Sequence, residues 1–574
     1  MTPQRPSAPP PTSGPLPARQ EQQRIFPPVF GGLAKLPGWL GVLMACAFVE
    51  AALQTFGPSI AGASLPAATL SLAIAPTAIK ATLDAAGRRP WRFPTIDPTA
   101  PIWLAGGLCL LVGWLAGTFW PNSGDEHSYV FLADTLLAGR LTNPPAPDPE
   151  LFALFRVFTM RGQTFSQYLP GWPLVLAPFR FAGLEWLANP LLTVLLGWCL
   201  LGAMRCLRVA AAVQPVMLLM VLMTPFVLFN GASLFSSTLS AAFAAAIVWQ
   251  QLLDEQQPTA WRKALIGALF GGELLARPEV FLVLATLYAG DRLCNRRAAA
   301  LRDAAPMLLG ALPFVAFFFW YDWVITGNPL ETPVTLTNPD ITLGEAVASP
   351  WVMFRRAASH LGYWAGSLEQ FGGLALMVLQ TPALARKMRR GSLRFFDLAP
   401  PAIIAFFLFF PNDGGHQYGP RYWFPAWPLA ALTVATGLLE PEGAFRLGGM
   451  RFSFDRLTAA NLAFCAAVLP GLIVTTRVYI DARREALADP VPAKPAVVLV
   501  PTRQLTLWPW QAVRLEADSL DFARDDVNFS GPVLYGRLDA PNAVARACRL
   551  SGRTVFVWRG PGNLARSDCP REAR

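Results

Sequence analysis

The chain has 574 residues, of which 53% are hydrophobic and 15% charged, and its mean hydropathy is +0.38. Soluble domains of this total length carry more charge, so the composition predicts a protein solvated by lipid. The formal net charge of +10 does not indicate nucleic-acid binding, because the basic residues cluster in short segments between apolar runs. Such clusters are typical of the cytoplasmic loops of membrane proteins.

The N-terminal part of the chain precedes the main set of apolar runs. Residues 1–35 are rich in Pro, Gln and Arg and predict a disordered cytoplasmic leader without a signal-peptide pattern. Residues 36–100 predict two additional spans, 36–56 and 60–82, followed by a basic loop.

Further apolar runs of about 20 residues recur as far as Tyr479, and a bilayer admits only helices or closed barrels. Because these runs are continuously apolar and do not alternate with polar residues, we predict helices. If the N-terminus lies in the cytoplasm, eleven crossings place the C-terminus outside. We therefore predict an α-helical polytopic membrane protein with the N-terminus in the cytoplasm. The other nine spans are expected at 101–120, 187–207, 214–230, 236–253, 306–326, 367–385, 397–411, 424–440 and 457–479.

The segment Ala264 to Gly290 is long for one helix and is interrupted at Arg277-Pro278-Glu279. A single crossing would place the following basic cluster outside, against the charge rule. We predict instead a hairpin of two short helices with both ends in the cytoplasm. Arg277 and Glu279 then either form an internal ion pair or line an internal site.

An acidic pair, Asp125-Glu126, follows the span at 101–120, in the first outward loop, 121–186. Ser123 and Glu126 have the spacing of a capping box, and Tyr129 begins an apolar periodicity that predicts a short amphipathic helix on the outer membrane surface. Either the pair only complements the helix dipole, or Glu126 caps the helix while Asp125 deprotonates a hydroxyl acceptor.

Aromatic and basic residues mark two outward loops. Tyr168 and Trp172, around a Pro-Gly turn, suit either an interfacial belt or the positioning of a loop. Arg421, just before the span at 424–440, either snorkels to the interface or binds a lipid phosphate, with His416 as an assistant. The remaining outward loops are expected at 327–368 and 412–423.

Residues 481–574 change in character and contain strand-like runs at 496–500, 513–517, 532–538 and 554–558. They predict a small α/β domain outside the membrane. Cys548 and Cys569 lie in this part and are either disulfide-bonded, if exported, or two free thiols.

No metal site is predicted, although the carboxylates and histidines together permit a divalent cation. The histidines lack a tight ligand spacing such as H-x-x-x-H, and no G-x-x-x-x-G-K-[ST] motif indicates ATP-driven transport.

The ordered set resembles a known family. The series is Asp125-Glu126-x-x-Tyr129, Tyr168 to Pro173, Arg277-Pro278, and Gly419-Pro420-Arg421-Tyr422-x-x-Pro425. It resembles bacterial integral-membrane glycosyltransferases of the GT-C class, in particular the superfamily of dolichyl-phosphate-mannose-protein mannosyltransferases that includes lipid A aminoarabinose transferases. The sequence departs from it at Gln167, where relatives often carry a basic residue.

The resemblance implies a GT-C-like catalytic domain over 101–480 in the bacterial inner membrane. Its expected partners are a polyprenyl-phosphate-sugar donor, membrane lipids and a glycan, lipid or protein acceptor, with inversion at the sugar. The implied catalytic residues are Asp125 and Glu126, with Arg421, His416 and Arg277 at the donor phosphate. Tyr129, Tyr168, Trp172 and Tyr422 would position the acceptor or the loops.

Two other classes stay open. A secondary transporter or lipid flippase would show internal repeats and charges near the membrane midplane, for which Arg277 and Glu279 are candidates. A non-catalytic scaffold protein would use the C-terminal tail to bind partners.

Overall fold

The computed structural model describes residues 93–295, 297–337, 350–354, 356–357, 360, 374–410, 418–447, 450–501, 503–508, 511–515, 525–550 and 552–569. The predicted leader and the two predicted spans before residue 83 lie outside the described residues. So do most of the predicted loop 327–368 and residues 411–417, which include His416.

Helices make up most of the described chain. In chain order they are α1 (Ala100–Ala116), α2 (Gly124–Leu137), α3 (Gly171–Phe181), α4 (Glu185–Cys206), α5 (Val213–Leu222), α6 (Pro225–Gly231), α7 (Ser237–Gln256), α8 (Ala260–Ala276), α9 (Pro278–Asn295), α10 (Arg297–Thr326), α11 (Pro333–Thr337), α12 (Leu374–Arg389), α13 (Phe395–Leu408), α14 (Ala426–Gly437), α15 (Phe454–Ala488) and α16 (Ala543–Cys548).

The described strands are short. They are β1 (Val157–Met160), β2 (Gln163–Ser166), β3 (Ala444–Leu447), β4 (Met450–Ser453), β5 (Ala496–Val500), β6 (Arg503–Trp508), β7 (Gln511–Leu515), β8 (Val533–Arg537), β9 (Thr554–Trp558) and β10 (Leu564–Arg566).

In the described part of the chain, three helices are long and apolar enough to cross a membrane: α4, α10 from Asp303 onward, and α15. A fourth crossing is present if α5 and α6 count as one span bent by 65°. The bend has a local cause, because Thr224 caps α6 with its hydroxyl and Pro225 follows at the first position. Each predicted span after residue 100 overlaps a helix, but the predicted total of eleven crossings stays a prediction.

The predicted break near Pro278 is present. Helices α8 and α9 have 17 and 18 residues, longer than the two short helices expected, and they separate at Arg277, whose backbone is extended (φ −151°, ψ 88°). Helix α8 packs closely along α10. A Cβ atom added at Gly267 would lie 1.9 Å from the Met307 carbonyl oxygen, so only glycine permits this approach.

Helix α2 begins where the capping box predicts, but it does not lie on the surface. Ten of its residues are buried, including Glu126, His127 and Ser128. The surface position inferred from the apolar periodicity is therefore wrong. The polar residues of α2 meet partners from other segments, which the spacing of apolar residues cannot reveal.

A β-hairpin follows α2 in the segment where only a loop was expected. Strands β1 and β2 pair antiparallel, and the two residues between them, Arg161 and Gly162, both have positive φ (51° and 75°). Two such residues form the turn whose twist suits a two-residue hairpin.

The C-terminal strands form a four-stranded sheet in the order β10-β9-β5-β8. Strand β5 is parallel to β8 and β9, and β10 is antiparallel to β9. Helix α16 ends at Cys548, which forms a disulfide bond with Cys569. We call β5, β8, β9, β10 and α16 the C-terminal sheet. Helix α15, which leads to it, extends to Ala488, well beyond the predicted end of the last span.

Candidate active site

Asp125 lies in the first turn of α2, where Ser123 is the N-cap. The backbone amide of Glu126 donates to the Ser123 hydroxyl at 3.2 Å. This cap fixes the first turn of α2 and thereby the directions of the side chains in that turn. Because neighbouring helical residues point in different directions, Asp125 and Glu126 face different surroundings.

Glu126 is fully buried and acts as a connector between segments. Its Oε1 accepts from the Leu234 amide at 2.8 Å, and its Oε2 accepts from the Asn122 amide at 3.1 Å. Burial raises the pKa of Glu126 to about 7, although these hydrogen bonds oppose the rise. The side chain thus fixes the start of α2 to the segment between α6 and α7.

Asp125 is partly exposed and lies at the centre of a polar cluster. Both terminal nitrogens of Arg421 donate to its Oδ2, at 3.3 and 3.2 Å, and the Tyr168 hydroxyl donates to its Oδ1. The Nε atom of Arg156 lies 3.7 Å from the same Oδ1. Two guanidinium groups therefore face the Asp125 carboxylate, whose side chain is 22% exposed.

The position of Arg421 follows from an unusual backbone. Tyr418 and Gly419 both have positive φ (61° and 85°), and the short 3₁₀ turn Arg421–Trp423 follows them. The buried Tyr418 is held by its hydroxyl, which accepts from Asn122 at 2.7 Å, and by its carbonyl, which accepts from Asn230 at 3.0 Å. These bonds direct the following arginine toward Asp125.

Arg277, at the break between α8 and α9, reaches the same region from another side. Its Nε and one terminal nitrogen donate to the Ser236 and Ser237 hydroxyls, each at 3.3 Å, and its guanidinium lies 5.6 Å from the centre of the Tyr422 ring. The residue is only 8% exposed. The predicted ion pair with Glu279 is absent, and no other described carboxylate lies within 4 Å of Arg277.

Aromatic rings connect these charged groups. The rings of Tyr129 and Tyr168 are 4.6 Å apart, and the Tyr129 hydroxyl lies 3.2 Å from that of Ser236, the residue that Arg277 contacts. Burial raises the pKa of Tyr129 to about 12 and, together with the Asp125 charge, raises that of Tyr168 well above its ordinary value. Both phenols thus remain hydrogen-bond donors at neutral pH.

Trp172 and Tyr422 are not hydrogen-bonded to Asp125, although burial and the nearby Asp125 charge raise the pKa of Tyr422. Trp172 is buried and donates from Nε1 to the Leu234 carbonyl at 2.7 Å, so it supports the segment that also anchors Glu126. The interfacial-belt interpretation of Trp172 is therefore wrong. Tyr422 packs against Phe407, with ring centres 4.6 Å apart. His416 lies outside the described residues.

Arg156 was not predicted from the sequence as a site residue. This residue has a positive φ of 66° and donates to the Gln167 side-chain oxygen at 3.2 Å as well as lying beside Asp125. It brings positive charge to Gln167, where the family resemblance led us to expect a basic residue. A lone arginine in a polar loop carries no sequence signal of this contact.

Among the described residues, no group of three or more His, Cys, Asp or Glu side chains comes together in a way that would hold a metal ion.

No family model and no curated protein matches this sequence. Several solved structures are similar to it. ArnT from Cupriavidus metallidurans, solved bound to undecaprenyl phosphate, is 14% identical over 80% of this chain and 93% of its own length, with a TM-score of 0.46. The mycobacterial arabinofuranosyltransferase AftD is 14% identical over 81% of this chain and 35% of its own, with a TM-score of 0.37.

The archaeal oligosaccharyltransferase AglB from Archaeoglobus fulgidus is 10% identical over 79% of this chain and 69% of its own, with a TM-score of 0.35. All three are glycosyltransferases of the GT-C class that the sequence resembles.

Proposed function

We propose that the chain is an integral-membrane glycosyltransferase that moves a sugar from a polyprenyl-phosphate donor to a hydroxyl group of a lipid, glycan or protein acceptor. The observation that carries the proposal is the meeting of Asp125 with Arg421 and Tyr168 in a region that Arg277 reaches from the other side. A partly exposed carboxylate and buried guanidinium groups are the two components that this transfer requires.

In the proposed reaction the acceptor hydroxyl gives its proton to the Asp125 carboxylate, and its oxygen bonds to the anomeric carbon. The bond between that carbon and the phosphate oxygen breaks, and the polyprenyl phosphate leaves with the electron pair. Attack from the face opposite the leaving group inverts the anomeric centre. The protein supplies orientation and charge, since the donor already carries a good leaving group.

The two arginines have different parts in this proposal. Arg277 has its charge free of any described carboxylate within 4 Å, so it is the primary anchor for the donor phosphate. Arg421 pairs with Asp125 and also lies 3.7 Å from the centre of the Phe235 ring. It therefore links the base to the phosphate, whose arrival partly releases Asp125 for the acceptor.

Glu126 acts as a support in this scheme. Its two oxygens are occupied by backbone amides, which leaves Asp125 as the proton acceptor. Tyr129 and Tyr168 orient the acceptor side of the site, and Trp172 holds the segment beneath it. Tyr422 lies beside the phosphate anchor Arg277.

We place the site at the outer, periplasmic face of the bacterial inner membrane. Asp125 follows the C-terminal end of α1, and Arg421 precedes α14, while the basic segments precede α1 and follow α14. The positive-inside rule then supports a periplasmic site. The catalytic part would be residues 101–480, and residues 481–574 would be a periplasmic α/β domain.

The test is sugar transfer in proteoliposomes from a radiolabelled polyprenyl-phosphate sugar. We expect Asp125→Asn to lower turnover by about a hundredfold or more, because the amide cannot accept the acceptor proton. Binding of polyprenyl phosphate by this variant should stay near that of the unchanged protein. The matched control is Asp481→Asn, because Asp481 is an exposed carboxylate in a surface pair with Arg477.

Near-normal transfer by Asp125→Asn would remove Asp125 from the mechanism. Uptake of lipid or solute by the same proteoliposomes, without any sugar transfer by the unchanged protein, would instead support the transporter or flippase alternative.

A further inference from the structure

We propose that the C-terminal sheet positions Asp125 for the reaction by holding the loop of residues 146–156, with Arg546 and Asp148 as the positioning pair. We call these residues the bridging loop. The inference rests on the proposed function, and it adds a role for a part of the chain that lies far from Asp125 in sequence.

The middle of the bridging loop belongs to the core of the C-terminal sheet. Leu151 is fully buried against Val497, Leu499 and Leu534, and its carbonyl accepts from the Arg537 amide at 2.9 Å. The next residue, Phe152, is also buried there. Two consecutive apolar side chains of the loop are thus core residues of the sheet, although they precede it by more than 300 positions.

An ion pair holds the start of the loop. Arg546, on α16, donates to both oxygens of Asp148 at 2.8 and 2.9 Å, and another of its nitrogens lies 2.7 Å from Glu150. The side chains of Arg546 and Asp148 are 27% and 16% exposed. A bidentate contact of this kind restricts the relative orientation of the two side chains as well as the distance between them.

The end of the loop packs on the start of α2. Phe155 lies so close to Gly124 that a Cβ atom there would be 2.2 Å from the ring. The Arg156 carbonyl accepts from the Ser128 hydroxyl at 2.7 Å and from the Gln167 amide at 2.9 Å. The Arg156 side chain meets Asp125.

Only four residue steps separate Phe152 from Arg156, a reach of at most about 14 Å. A change in the position of the C-terminal sheet, or in its contacts with the bridging loop, is therefore transmitted to Arg156 and to the first turn of α2. Because misplacement of reacting groups by about 1 Å can reduce rates up to a hundredfold, this contact bears on the reaction as well as on stability.

The test compares Arg546→Ala, Asp148→Ala and the double variant, with Arg549→Ala as the matched control. Arg549 is an exposed arginine that follows the same helix. The first readout is amide hydrogen exchange of residues 151–156, which does not depend on any activity. We expect faster exchange in both single variants and no change in the control.

The second readout is sugar transfer. We expect Arg546→Ala to lower kcat by about three- to tenfold with little change in KM for the donor, because the phosphate anchor is untouched. The double variant should lose no more than the worse single variant. Exchanging the pair, with Asp148→Arg and Arg546→Asp together, should restore part of the lost kcat.

Unchanged exchange in Arg546→Ala would overturn the claim that the sheet holds the loop. Faster exchange with unaltered kcat would overturn the claim that this hold positions Asp125. Absence of transfer by the unchanged protein would overturn the proposed function, and the exchange result would still stand by itself.

Discussion

Arg277 and Arg421 carry the same charge but meet different partners. Arg421 shares its charge with Asp125, whereas the described partners of Arg277 are two serine hydroxyls and a tyrosine ring. A buried cation with no carboxylate within 4 Å is costly, although the Glu273 and Glu279 charges act on Arg277 from a greater distance, and a bound phosphate would reduce that cost. Under the proposed function, this difference between the two residues would separate binding of the donor from the chemical step.

Arg277→Ala should weaken binding of polyprenyl phosphate by roughly tenfold to a hundredfold, the worth of one or two charge-assisted hydrogen bonds. Arg421→Ala should lower kcat as well as affinity, because it also removes the partner of Asp125. Titration with polyprenyl phosphate and donor-dependent kinetics check this. Arg389→Ala, at an exposed position, serves as the control. Equal losses of kcat in Arg277→Ala and Arg421→Ala, with unchanged donor affinity, would contradict this division of roles.

Glu126 predicts a pH dependence of stability. Its pKa is about 7 in the folded protein, above its ordinary value of 4.5, so folding favours the protonated form. This contribution to the free energy of unfolding is fully present below pH 4.5 and is lost as the pH rises through about 7. Thermal unfolding in detergent between about pH 5 and about pH 8 measures it.

Glu126→Gln should flatten that pH dependence, because glutamine does not titrate. In this variant the side-chain NH₂ group replaces one carboxylate oxygen and faces a backbone N–H that has lost its acceptor. The free energy of unfolding should therefore fall by about 1–3 kcal/mol. Glu442→Gln, an exposed substitution, is the control. An unchanged slope in Glu126→Gln would assign the pH dependence to another group.

At the scale of elements, the site depends on where helices meet rather than on their own sequences. The Pro-Gly turn around residue 171 was predicted from turn chemistry alone. In the structure Gly171 starts α3 and touches the end of α8. A Cβ atom at Gly171 would lie 2.5 Å from the Leu275 carbonyl carbon and 2.6 Å from the Ala276 nitrogen, just before Arg277.

Gly171→Ala should therefore push the end of α8 away and move Arg277. We expect a loss of about 1–3 kcal/mol in stability from overpacking, together with weaker binding of polyprenyl phosphate. Gly107→Ala in α1 is the control, because no atom lies within 4 Å of its added Cβ. Wild-type donor affinity in Gly171→Ala would show that this contact does not position the anchor.

The helical elements themselves could largely be predicted. The start of α2 follows from Ser123 and Glu126, the break between α8 and α9 from Pro278, and β5 and β9 from short runs of β-branched and aromatic residues. Each of these signals acts over a few residues. The hairpin of β1 and β2 was missed, because its turn, Arg161-Gly162, lacks the usual Asn-Gly or Asp-Gly pair.

At the scale of the whole molecule, the proposed orientation can be tested with a native cysteine. Cys294, near the end of α9, is the exposed free thiol among the described residues, and it lies next to a basic cluster assigned to the cytoplasm. A membrane-impermeant maleimide should label it in inverted vesicles and not in intact spheroplasts.

A cysteine introduced by Asn563→Cys, exposed near the C-terminal sheet, should show the opposite pattern. Labelling of Cys294 from outside the spheroplast would reverse the proposed sidedness. The pair Cys548 and Cys569 does not interfere, since it is disulfide-bonded. The alternative of two free thiols in the tail is thereby wrong.

The lipid-solvated class of this protein, the approximate positions of the helices at its predicted spans and the acidic pair as a candidate site could all be predicted from the sequence. Those properties depend on composition and on signals between near neighbours, such as apolar runs, caps and prolines.

The packing of distant segments determines which of the two acidic residues faces the charged cluster and which is buried as a connector. It alone paired Asp125 with Arg421, 296 positions away, added Arg156 through the bridging loop, and left Arg277 without a described carboxylate partner. Side-chain pairing in a buried site depends on which segments pack together. A single sequence contains no local signal of such distant contacts.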